Sequence, residues 1–115
     1  MTDAEFQSYL NKMAEHLSTN KQFVENPVRA REIANAFVLA KSLFPDAKIE
    51  LKDDPLKMGA VIMRIEDYDI DVCGEASIRR FSAMLNKAND VEIYATEDGN
   101  ARISILFNNV FVVSK

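Results

Sequence analysis

The stretch NARISILFNNVFVV, residues 100–113, decides how this chain folds. Ile103, Ile105 and Phe107 alternate with Arg102, Ser104 and Leu106. Successive side chains of a strand point to opposite faces, so this spacing describes a strand with one strongly apolar side and one mixed side. Asn108 and Asn109 tolerate positive φ and predict a two-residue turn into a last strand, Val110 to Val113. On that register Val110 and Val112 continue the inner face. Leu106, Phe111 and Val113 emerge on the outer one, with Leu106 directly opposite Phe111.

Upstream, Val91 to Thr96 reads as the hairpin partner of residues 100–107. Only an odd loop keeps Val91 and Ile93 on the face of Ile103 and Ile105, and Glu97, Asp98 and Gly99 supply it. Before it, Gly74 breaks the chain, and Ile78, Phe81, Leu85 and Ala88 recur at helical spacing to a stop near Asn89. Residues 60–65 and 68–73 predict another hairpin around Glu66 and Asp67. It would match Ile65 with Tyr68, Met63 with Ile70 and Val61 with Val72. Ile49 and Leu51, alternating with Lys48, Glu50 and Lys52, predict a short strand wet on one face.

The first 45 residues carry the other period. Thr2 and Glu5 form a capping box ahead of Phe6, Tyr9, Leu10, Met13, Ala14 and Leu17, which predicts a helix over 3–19. Asn26 and Pro27 open a second helix, with a stripe from Ala30 through Ile33, Ala34, Phe37 and Ala40 to Phe44, closed by Pro45. The expectation is a single α+β domain over 1–115. It has two N-terminal helices, then β-β-β-α-β-β-β, with a largely antiparallel sheet covered by helices on one face.

The chain holds 18 acidic and 14 basic side chains, a net charge of −4, and the whole deficit lies after residue 45. A sequence-blind grip on a phosphate backbone needs clustered Lys and Arg, so no nucleic-acid partner is expected. No stretch approaches the roughly 18 apolar residues of a membrane span, and no membrane partner is expected either. The single cysteine, Cys73, excludes an internal disulfide and fits a reducing, cytoplasmic setting.

Motifs that carry chemistry are weak. Asp67, Asp69 and Asp71 imitate the start of a calcium loop, but Val72 and Ile78 stand where that loop needs Gly and a bidentate acid. Pro45, Asp46, Glu50 and Lys52 spell the letters of a nuclease metal motif without the hairpin that must separate them. Cys73 is the one candidate reactive thiol, because it precedes a helix N-terminus, where thiolate is favoured. His16, the only histidine, lies beside the apolar stripe of the first helix. The expectation is no catalytic constellation, no metal and no cofactor.

A surface signal is clearer. Ile62, Tyr94, Leu106, Phe111 and Val113 are expected to give the outer sheet face an apolar character that a monomer has no use for. Glu66, Asp67, Asp69, Asp71 and Glu75 would form an acidic surface beside it. The leading expectation is a small acidic protein-interaction module of the adaptor, chaperone or inhibitor type that binds a protein partner or itself. The rivals are a pocket lined by Tyr9, Met63, Tyr68 and Cys73, and a mobile-element inhibitor offering its carboxylates as a decoy for a basic channel.

Overall fold

The structure, a computed structural model, describes residues 1–18, 23–68, 75–95 and 100–113. It is α+β with antiparallel sheets. The order is α1 (Asp3–Ser18), β1 (Phe23–Glu25), α2 (Pro27–Leu43), β2 (Lys48–Asp53), β3 (Val61–Tyr68), α3 (Glu75–Leu85), β4 (Asp90–Ala95), β5 (Ala101–Phe107) and β6 (Phe111–Val113).

Both helix starts form as their sequences dictate. The Thr2 hydroxyl accepts the Glu5 N–H at 3.2 Å, and the Asn26 side chain accepts the Arg29 N–H at 3.4 Å ahead of Pro27. Each bond satisfies a donor that has no partner within its own helix.

Four strands make the main sheet in the order β2-β3-β5-β4, every pair antiparallel. The parity argument for the β4–β5 hairpin holds, because Val91 faces Ile105 and Ile93 faces Ile103. Ile49, Leu51, Val61, Met63, Ile65, Ile103, Ile105 and Phe107 are buried in one cluster with Phe6, Leu10, Met13, Ile33, Phe37 and Met84 of the helices. Phe6 of α1 stacks on Phe37 of α2 with centroids 4.4 Å apart. Cover is incomplete at the β4 edge, where Ile93 remains 56% exposed.

Four expectations need correction. A turn at Glu66 and Asp67 does not form: β3 continues to Tyr68, and both its edges are taken by β2 and β5, which leaves no room beside it for a strand folding back. Residues 69–74 themselves lie outside the described residues. A strand unforeseen in the sequence, β1, stands between the two N-terminal helices and pairs with β6. The last strand therefore leaves the main sheet. Asn109 does take positive φ, at 59°, but Val110 then donates to the Gly59 carbonyl at 3.0 Å and accepts from Asn26 at 2.8 Å, instead of extending a ladder with β5.

That departure changes the burial of the segment in part: Val110 is buried and Val113 exposed as the alternation predicts, but Phe111 turns inward. Phe111 is 2% exposed and belongs to the core, Val112 is half-buried, and Val113 is 60% exposed. The fourth correction concerns α3. Its buried anchor is Met84, while Ile78, expected in the core stripe, is 59% exposed.

Candidate functional site

Cross-strand pairing arranges the outer face of the main sheet in rows. One row runs Lys52, Ile62, Leu106, Asp90, and the next Glu50, Arg64, Ser104, Glu92. A third sets Lys48 beside Glu66 and Arg102 beside Tyr94. None of these side chains is buried. Of the five residues expected to make an apolar outer face, the sheet brings Ile62, Leu106 and Tyr94 together and sends Phe111 and Val113 elsewhere. The apolar part is thus the Ile62–Leu106 pair, with Tyr94 along the edge.

Charge frames that pair. Glu66 Oε1 lies 3.5 Å from Arg64 Nη1 and 3.2 Å from Arg102 Nε, so this carboxylate is already neutralised by two guanidinium groups. Lys48 reaches Glu50 at 2.9 Å. The hydrogen bond from Lys48 holds the Glu50 carboxyl below its ordinary range, against a smaller opposing effect of burial and with support from Lys52 and Arg64. On the opposite edge the Tyr94 hydroxyl bonds Glu92, which raises the phenol above its usual value. The β2 and β3 side of the face is therefore rich in cations, and the β4 edge carries Asp90 and Glu92.

The expected acidic surface is only partly visible. Glu66 belongs to the charge cluster just described, and the side chains of Asp67, Asp69, Asp71 and Glu75 lie outside the described residues, as does Cys73. Of the expected pocket, the side chains of Tyr68 and Cys73 lie outside the described residues. Met63 is fully buried, and Tyr9 hydrogen-bonds Asp53 across α1 and β2.

Two concavities among the described residues bear on a ligand-binding role. One, of about 230 Å³, lies between the end of α1 and the loop after β2 and is lined by Met13, His16, Asp53, Asp54, Lys57 and Met58. Small-molecule sites usually enclose roughly 300–1,000 Å³ and present uncommitted polar groups. Here Asp53 is engaged by Tyr9, and Asp54 is turned into its own loop to accept the Leu56 N–H at 2.9 Å. The other, about 520 Å³, is an open groove between α2 and α3 with Ala36, Leu39 and Met84 among its walls and Val38 exposed beside it.

Burial first, then the bond to Asp53, pushes the Tyr9 phenol far above its ordinary value. A phenol that holds its proton more tightly when folded contributes full stability below pH about 10, and loses it as pH rises above the unfolded value. In an ultraviolet phenolate titration, Tyr9→Phe is expected to remove a tyrosine that stays protonated through the ordinary phenol range and to flatten the fall in stability above pH about 10. A loss of phenolate absorbance in the ordinary range near pH about 10, with the fall in stability unchanged, would contradict this assignment.

The fold and its outer face define an α+β protein with a four-stranded antiparallel sheet and a charged, sparsely apolar exposed side. No family model, curated protein or solved structure matches the chain. Among the described residues, no helix is long and apolar enough to cross a membrane.

Proposed function

We propose that this chain is a small cytoplasmic protein-interaction module that works through the outer face of its main sheet, without catalysis, cofactor or nucleic acid. One observation carries the reading. The inward side chains of β2, β3 and β5 are buried, whereas the outer rows present a directly paired Ile62 and Leu106 inside a frame of oriented charge. A sheet that serves only to cover a core has no need of two large aliphatic side chains on its wet side.

An arginine at position 106 should abolish binding and leave the fold intact, because the site is half-buried and opens to water. Wild-type chain and Leu106→Arg, each immobilised, are exposed to extract of the host cell. Proteins retained by the wild type, further copies of this chain included, are expected to be lost from the variant, with circular dichroism unchanged. Equal retention on both, or none on either together with no self-association of the free chain, would sink the reading.

A further inference from the structure

The row Lys52, Ile62, Leu106, Asp90 reads, across the sheet, as cation, aliphatic, aliphatic, anion. Such a row is complementary to itself when turned end for end. Resting on the interaction reading above, we infer that the occupant of this face is a second copy of the same chain. The two sheets pack face to face about a two-fold axis parallel to their strands, so that Lys52 of each copy meets Asp90 of the other.

Charge selects this axis. A two-fold axis perpendicular to the strands, through the middle row, would stack β2 on β2 and β4 on β4, setting Lys52 against Lys48 and Glu92 against its own counterpart, which repel. The parallel axis lays β2 of one copy over β4 of the other. In the first row it sets Lys52 against Asp90 and Ile62 against Leu106, each twice, as an isologous interface requires. In the third row it brings Lys48 over the Tyr94 ring and Glu66 towards Arg102. The middle row opposes Glu50 and Glu92, with Arg64 beside Glu50 on the next strand.

Among the described residues, Lys52 and Asp90 form no ion pair within the chain, so the ends of the first row are free to meet a partner. Packed sheets lie about 10 Å apart, a gap that side chains of this length fill from both sides. The face is about four strands wide, roughly 20 Å, and gives less than the ~800 Å² per partner of a standard interface. The dimer is accordingly weak, with a dissociation constant on the order of 100 μM, and specificity comes from the charged row ends more than from area.

Sedimentation velocity over a concentration series, up to about 1 mM, tests this through charge exchange. Lys52→Glu alone and Asp90→Lys alone each convert two attractions into two repulsions, and each is expected to weaken the dimer at least tenfold. Mixing the two variants restores both attractions. The acid that Lys52→Glu places in one chain then meets the base that Asp90→Lys places in the other, and the native pair survives at the second contact. The mixture should associate as the wild type does. Within one chain the two positions stand three strands apart, about 14 Å, so the rescue has no intramolecular route. A mixture no better than either variant alone overturns the axis. A wild type that stays monomeric throughout overturns the second-copy occupant, while a Leu106-dependent capture of a foreign protein would still uphold the interaction reading.

Discussion

Gly59→Ala is expected to lower the urea midpoint of unfolding by roughly 2 M, on a slope of about 1.5 kcal/mol per M. Two effects add. Gly59 has φ of +86°, a region where an L side chain costs roughly 1–2 kcal/mol. A methyl group there would also lie 2.3 Å from the Phe111 carbonyl oxygen, a backbone atom that yields only if β6 moves. Moving β6 strains the bonds by which the Gly59 carbonyl accepts the Val110 and Phe111 N–H groups, at 3.0 and 3.1 Å, each worth about 1 kcal/mol. The sum, about 3–4 kcal/mol, is a large share of the roughly 5–15 kcal/mol that holds a domain together. A midpoint within about 0.3 M of wild type would show that the 54–60 loop accommodates the methyl group without disturbing β6.

Arg29→Ala is the second large loss. From the first turn of α2 its guanidinium donates to the Asn108 carbonyl at 2.8 Å, to the Lys87 carbonyl at 2.6 Å and to the Asn89 side chain, and it pairs with Glu32 at 3.5 Å. It also lies 5.2 Å from the centre of the Phe107 ring. Asn89 in turn accepts the Asn108 N–H at 2.9 Å, so one side chain ties α2 to the α3–β4 connection and to the end of β5. Charged hydrogen bonds contribute about 1.5–3 kcal/mol each when buried, but this side chain is 12% exposed and water can replace part of the set. A net loss of about 2–3 kcal/mol follows, which lowers the melting temperature by roughly 10 °C. Arg29→Lys should recover less than half, since one ammonium cannot present a planar fork to three acceptors. A lysine variant as stable as wild type would reduce the network to simple charge.

Local chemistry explains which parts of this fold were legible in the residues. Thr2, Glu5, Asn26 and Pro27 act within a few residues of themselves, and the helix starts they imply are the ones that form. Alternation in residues 101–107 and the parity of the 91–105 pairing are equally local. What failed was long-range choice. Val110 to Val113 alternates as well as any strand, but alternation cannot say which neighbour it joins, and Gly59 and Asn26 captured it in place of β5. The three residues of β1 are too few to show a period against the helices on either side. At the outer face, Ile62, Leu106 and Tyr94 were foreseeable by counting in twos from the core. Asp90 and Lys52 were not, because their shared row exists only once the strand order β2-β3-β5-β4 is known. The Arg29 clamp had no sequence signal, since its acceptors are mostly backbone carbonyls far along the chain.

The pairing of β1 with β6 joins segments roughly 90 residues apart, Val24 to Val112, through three residues on each side. Closing so long a loop for so few bonds is unfavourable until the intervening sheet has shortened the distance, so this buckle is expected to fasten last. During synthesis residues up to about 113 must leave the ribosome before Phe23 to Glu25 can find their mate, and until then Phe111 has no interior to enter.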